Sequence, residues 1–162
     1  MIILDTNVLS EFMRAVPNPA IMNWISQQVT SEIFVTTITQ AEIYYGLALL
    51  PLGKRRSDME RAAQQMFEQD FPERILSFDS VAALEYAKLA LFRRRIGKPI
   101  AQADAQIAAI TLSKNAVLAT RNISDFCDCQ LTLVNPWGAS QFCDEYKYLG
   151  QKMNKKMDNF KE

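Results

Sequence analysis

Residues Ile2, Ile3 and Leu4 are apolar in succession, and Asp5, Thr6 and Asn7 follow at once. A strand that alternates apolar and polar residues keeps one face in water. An unbroken apolar strand needs cover on both faces, as in a parallel sheet flanked by helices. The stretch therefore places an acid immediately beyond the carboxyl end of a buried strand, the edge where open α/β sheets bind their ligands. Two roles are open to Asp5 at this point. It can stand on the floor of a crevice, or it can cap a helix over Thr6 to Met13.

The rest of the chain repeats the pattern of short apolar runs separated by helical ones. Strands are predicted at Ile33 to Thr36, Ile75 to Phe78, Val117 to Thr120 and Leu131 to Val134. Ser10 to Arg14 forms a helical turn. Asn18-Pro19 caps and opens a helix with Ile21, Met22, Ile25 and Val29 on its apolar side. A helix starting at Thr39 ends at Pro51-Leu52-Gly53, and another spans Ser57 to Gln69. Asp79 or Ser80 caps a helix that runs to about Ile96, where Gly97-Lys98-Pro99 stops it. A small-residue helix fills Ala101 to Lys114. Helices between strands, without hairpin turns, make βαβ units and a parallel α/β sheet. At 162 residues the chain has the size of one domain. That domain is expected over 1–138, with 139–162 a polar, lysine-rich extension, helical or flexible.

Composition narrows the chemistry more than the fold. Lys+Arg and Asp+Glu number 18 each, so net charge points to neither a nucleic acid nor a membrane partner. No apolar run approaches the ~20 residues that span a bilayer, and the N-terminus has no basic region of a secretory signal. A cytoplasmic protein with no membrane partner is expected. Histidine is absent altogether, which removes Ser-His-Asp triads, Cys-His nucleophiles and histidine-ligated zinc. Cys127-Asp128-Cys129 has no second pair to close a tetrahedral metal site.

Carboxylates remain, and they fall where such a sheet presents its crevice. Asp5 follows the first strand, Glu42 opens the helix after the second, Asp104 lies near the start of the small-residue helix, and Asn122 follows the fourth strand, with Asp125 close behind. Acids gathered within a few ångströms repel one another by ~1–4 kcal/mol per pair at surface dielectrics, so a divalent cation is what such a cluster would hold. Oxygen ligands without histidine select Mg²⁺ or Mn²⁺ over zinc. Each acid also has a plainer role. Thr39-x-x-Glu42 reads as a capping box, Asp79 as an N-cap, and Asp125 and Asp128 as turn residues. Asp104 sits among alanines on a face that packs closely, where an acid is costly without a partner.

Taken together, the strand ending in LDTNVLSE, the helix ITQAEIYYGLALL, the stretch IAQADAQIAAI, and the turn ATRNISDF leading to VNPW resemble the PIN-domain ribonucleases. The likeness is strongest to the VapC-type toxins of toxin–antitoxin pairs, in the FitB-like branch, and it covers Met1 to Trp137. It implies a PIN-like three-layer sandwich, a central parallel sheet flanked by helices, that binds Mg²⁺ or Mn²⁺ and cuts single-stranded RNA. It also implies a homodimer silenced by a small cognate antitoxin. The catalytic positions fall on Asp5, Glu42, Asp104 and Asn122, with Asp5 and Asp104 as metal ligands and Thr6, Thr120 and Asp125 in support. Some members have an acid where this chain has Asn122. The amide lowers the site's negative charge by one, and Asp125 can partly compensate.

Lys54-Arg55-Arg56, read as a loop between helices, is a candidate for tracking RNA phosphates. Arg93-Arg94-Arg95 closes a helix, where cations complement the dipole. A competing reading is a catalytically impaired PIN-like module, with Asn122 as the mark of decay, that binds RNA or a protein partner. A phosphoacceptor receiver domain fits poorly, because it needs an acidic pair after the first strand.

Overall fold

β1 (Ile2–Leu4) sends successive side chains into opposite cores. Leu4 packs with Val8, Leu9, Ile21, Ile43 and Phe67, whereas Ile3 packs with Leu89, Ile107, Ile110 and Phe126. Both are fully buried, and each contributes roughly 1.5–3 kcal/mol by leaving water. In the computed structural model, which describes residues 1–138, the sheet has five strands and every pair is parallel. With β2 (Ile33–Thr36), β3 (Ile75–Leu76), β4 (Val117–Ala119) and β5 (Thr132–Val134), the order is β3-β2-β1-β4-β5. The chain is a three-layer α/β sandwich, as expected. The extension at 139–162 lies outside the described residues.

The chain passes from β1 to β2 and β3 on one side and crosses back to β4 and β5 on the other, so the carboxyl end of the central β1 opens at a switch point of the sheet. The Asp5 amide still donates to the Ala119 carbonyl at 2.9 Å, and Thr120 N to Val134 O at 2.9 Å. The ladder thus extends one residue past β1 and β4, which holds Asp5 and Thr120 rigidly at the edge.

Several elements begin or end away from their expected positions, each for a local reason. α1 (Thr6–Leu9) gives way to a 3-10 turn at Ser10–Met13. α2 (Pro19–Ser26) is capped by Asn18, whose side-chain Oδ1 accepts from Ala20 N at 2.9 Å, and it ends before the exposed Val29. α3 (Thr37–Ala48) starts two residues before Thr39, because the Thr36 hydroxyl accepts from Thr39 N at 3.0 Å. Thr36 is the cap, so Glu42 is not part of a capping box and its side chain is free for other work.

α4 (Lys54–Gln65) starts at Lys54, just after Gly53, rather than at Ser57 and continues into a π-helical turn at Met66–Asp70. The basic group Lys54-Arg55-Arg56 is therefore its first turn and not a loop. β3 pairs only Ile75 and Leu76 with β2, two residues fewer than expected. α5 (Ser80–Arg95) is capped by Asp79 and stopped by Gly97 at φ 73°, and α6 (Gln102–Ser113) by Asn115 at φ 49°. α7 (Ile123–Phe126) leads through a 3-10 turn at Cys127–Cys129 to β5.

Asp128 is no simple turn residue. It is buried, with Lys98 Nζ at 2.9 Å and Arg93 Nη1 at 3.6 Å from its Oδ2. Arg93 is likewise buried and serves this ion pair rather than the helix dipole alone. Beside it Cys129 is a free thiol pushed up to about 11 by burial, inert as a nucleophile.

The Thr36 cap is testable. Thr36→Ala removes the acceptor for Thr39 N and the 2.9 Å hydroxyl contact with Thr39 in a fully buried place. It is expected to cost about 1–2 kcal/mol in urea melts, while Thr36→Ser restores most of it. Equal midpoints for Thr36→Ala and wild type would refute the cap.

Candidate active site

Asp5 is 4% exposed and fully engaged. Its Oδ1 accepts from Thr6 N at 2.8 Å, and its Oδ2 accepts from Thr120 Oγ1 at 2.7 Å and Asn7 Nδ2 at 2.6 Å. The expected cap is therefore realised, with Asp5 as the N-cap of α1 and buried at the carboxyl end of β1. Thr6 turns its hydroxyl the other way and donates to Glu42 Oε2 at 2.5 Å, joining α1 to α3. Thr120 also accepts from Asn122 N at 3.0 Å, which folds the turn after β4 over the strand end. The supporting hydroxyls of Thr6 and Thr120 thus orient the carboxylates.

Asn7 was not among the expected site residues, and it belongs with them. Its amide nitrogen serves Asp5 while its oxygen accepts from Arg121 N at 3.0 Å, tying the β1 and β4 ends together. Its closeness to Asp5 in sequence was the available signal. A two-residue separation at the start of a helix lets an amide reach back to the cap. Asn122 is exposed at the start of α7 and makes no side-chain cap there. Asp125, one turn along α7, is exposed as well.

Asp104 is in the first turn of α6, where the helix dipole favours a negative charge. Its carboxyl is nevertheless pushed up to about 6, first by burial and then by the charges of Asp5, Glu42 and Asp125. The Asp5 carboxyl is raised too. Burial outweighs the hydrogen bonds from Thr120 and Thr6, and Glu42 adds repulsion. Four acids, from the end of β1 and from α3, α6 and α7, therefore share one electrostatic neighbourhood.

Among the described residues, no three Asp, Glu or Cys side chains stand close enough to form a ready-made metal cage. The donor chemistry still suits a hard cation. All ligating atoms are oxygens, and Mg²⁺ is commonly held by one or two carboxylates with water completing its shell. Asp5 is buried and Asp104 half-buried, and the charge of Asp5 bears on Asp104.

A family model for the PIN domain matches residues 2–128. The chain belongs to the PIN-domain family. This PIN domain is 38% identical over 137 residues to the VapC ribonuclease Y4jK of Sinorhizobium fredii, covering 85% of the chain and 98% of the relative. It is 36% identical over 137 residues to toxin FitB of Neisseria gonorrhoeae, covering 85% and 99%. In the solved structure of FitAB bound to an IR36 DNA fragment, one chain matches with a TM-score of 0.81 at 35% identity, over 87% of this chain and 99% of that one.

The basic candidates separate in the PIN domain. Arg56 is occupied by the protein itself, with Nε on Glu60 at 2.7 Å and Nη1 on the Ala48 carbonyl at 2.9 Å, where it closes α3. Lys54 and Arg55 are exposed and line a cleft shared with Thr6 and Glu42. No helix among the described residues is long and apolar enough to cross a membrane.

Proposed function

We propose that this PIN domain is a Mg²⁺- or Mn²⁺-dependent endoribonuclease acting on single-stranded RNA, the toxin of a toxin–antitoxin pair in the cytoplasm. The observation that carries the chemistry is the Asp5 carboxylate fixed at the end of β1 by Thr6, Asn7 and Thr120, with Glu42 held by the Thr6 hydroxyl and Asp104 pushed up to about 6 by burial and then by the charges of Asp5, Glu42 and Asp125. Its relatives named VapC ribonuclease and toxin FitB, and the likeness to a FitAB complex, support the nuclease and the antitoxin partner.

Asp5 and Asp104 would hold the cation, which when bound neutralises the acids and polarises a phosphoryl oxygen. The chain's own side chains do the rest. Thr6 fixes the Glu42 carboxylate at the crevice wall, where it can accept the proton of an attacking water. Thr120 and Asn7 hold Asp5 in one rotamer, so no reorganisation is needed as charge develops. Asn122, at the exposed mouth, supplies an amide to a water or a phosphate oxygen. Exposed Val81, Leu84 and Leu91 along α5 supply apolar surface for a homodimer.

A second reading keeps the fold without the chemistry. Asn122 favours it, as an amide where some members of the family carry an acid, and the module would then bind RNA or a protein partner only. The intact acids weigh against it. The purified chain is expected to cut single-stranded RNA with Mn²⁺ or Mg²⁺, to stop in excess EDTA and to recover on re-addition of the ion. Undiminished cleavage in EDTA would defeat the metal-dependent reading, and RNA binding without cleavage under any ion would establish the second one.

A further inference from the structure

On one side of β1 the parallel neighbours β4 and β5 end together, and the chain leaving each supplies one half of a pair. Arg121 comes one residue after Thr120, whose amide still donates to the Val134 carbonyl at 2.9 Å. Trp137 comes three residues after Val134, half-buried against the core on the Leu4 side of the sheet. Arg121 Cζ lies over the Trp137 ring, 5.5 Å from its centre. The Arg121 backbone is pinned from the other direction. Its amide donates at 3.0 Å to Asn7 Oδ1, and Asn7 Nδ2 reaches Asp5 Oδ2 at 2.6 Å. One side-chain bridge therefore separates this residue from the acid that ends β1.

The guanidinium is held but not spent. Among the described residues, Arg14, Arg56 and Arg61 pair with carboxylates close in sequence, and Arg93 with the buried Asp128. Arg74 also lies over a ring, that of Phe71, but it gives its N–H groups to the carbonyls of Thr30, Ile33 and Asp70. Arg121 is exposed, and its side chain makes no hydrogen bond or ion pair among the described residues, not even with Asp125 four residues on. Arg55, Arg94 and Arg95 are likewise exposed without such bonds, yet none of them stands over a ring. A cation over an indole face is attracted by the ring's quadrupole, which leaves its N–H donors unclaimed. Those donors form a planar fork that matches a phosphate.

We propose that Arg121 is a substrate-binding residue that holds a phosphate of single-stranded RNA on the β4–β5 side of the acids, with Trp137 keeping the guanidinium in place for it. The inference rests on the nuclease reading above. RNA is favoured over a polypeptide by position. A strand whose scissile phosphodiester lies at Asp5 must cross the carboxyl edge of the sheet, and its phosphates recur along it. A cation placed beforehand, one bridge from Asp5, meets one of them without a change in the fold. The four acids repel a polyanion, and a positive charge there offsets part of that repulsion.

The test compares wild type with Arg121→Gln and Arg121→Lys. Both exchange an exposed side chain and keep the backbone bond to Asn7, and thermal melts check that each folds. Cleavage of a single-stranded RNA in Mn²⁺ gives KM and kcat separately, and RNA binding in EDTA gives the salt dependence. Arg121→Gln is expected to raise KM about tenfold with kcat within about threefold. It should also flatten the slope of log K against log salt by about 0.7, the loss of one phosphate contact on a single strand. Arg121→Lys keeps the charge without the fork, so it should restore the slope but only part of the KM. Active variants with KM and slope unchanged would overturn the assignment and leave the nuclease standing. A lowered melt of Arg121→Gln with the same unchanged values would do so too, and make Arg121 a cover for Trp137 only. A wild type that cuts no RNA would overturn the nuclease reading itself and this inference with it. Loss of a co-expressed antitoxin by Arg121→Gln, with RNA behaviour unchanged, would give the guanidinium to a polypeptide and overturn the proposal.

Discussion

Asp5→Asn is expected to lower RNA cleavage by on the order of 10²–10³-fold or more, with the metal-free protein's stability within about 1 kcal/mol of wild type. The exchange preserves shape and removes the charge a cation requires. Two opposing effects set the stability. Burial and Glu42 already hold the Asp5 carboxyl above its ordinary range, so losing the charge is favourable. Against this, Oδ2 accepts from both Thr120 and Asn7, and an amide nitrogen in its place faces two donors. The Thr120 hydroxyl can turn to accept, which leaves one hydrogen bond lost, worth ~1 kcal/mol. If Asp5 only capped α1, asparagine would cap as well and cleavage would persist. Cleavage in Mn²⁺ and melts in EDTA on the same two proteins separate these outcomes. Full activity in the variant would remove Asp5 from the chemistry, and a loss of several kcal/mol would make it a structural residue first.

The parallel sheet and the acid at its edge were legible from Ile2 to Asn7 because both rest on local physics. Three apolar residues in a row report two-sided burial, and the residue that ends the run is placed by the strand itself. Glu42 was harder. Thr39-x-x-Glu42 satisfies the spacing of a capping box, and local pattern cannot say which of two nearby threonines caps the helix. The choice of Thr36 depends on β2, whose end delivers that hydroxyl to Thr39 N. The bond from Thr6 to Glu42 joins residues 36 apart and has no sequence signature.

Charge patterns misled in the same way. Lys54-Arg55-Arg56 looks like one basic group in a row, but a helix points successive residues about 100° apart. Arg56 therefore turns back to α3 while Lys54 and Arg55 face the cleft. Asp128 resembled a turn acid until the fold brought Arg93 and Lys98 to it from α5 and the loop beyond.

Asp104→Asn should likewise stop cleavage, but it should stabilise the metal-free protein, and the gain should depend on pH. The Asp104 carboxyl titrates near 6 in the folded chain against an ordinary 3.8. Below about pH 4 the group is protonated in folded and unfolded chains alike, and wild type carries no penalty. Between about pH 4 and 6 the folded state keeps a proton that the unfolded state has released, so wild-type stability falls as pH rises. Above that window the whole penalty is present. A shift of about two units corresponds to at most about 3 kcal/mol, and solvent screening of a half-exposed group brings it to about 1–2 kcal/mol. Asparagine stays neutral throughout, so the variant should melt ~2–8 °C above wild type at pH 8 in EDTA and together with it at pH 4. Mn²⁺ should close the gap at pH 8, because an ion that binds the folded state of wild type raises its stability by mass action and has lost its ligand in the variant. Unlike Asp5, no hydrogen bond of Asp104 opposes the charge term among the described residues. Coincident melts at pH 8 without metal would mean that neither burial nor the neighbouring acids penalise the Asp104 charge in solution, and cleavage surviving in Asp104→Asn would take Asp104 out of the site.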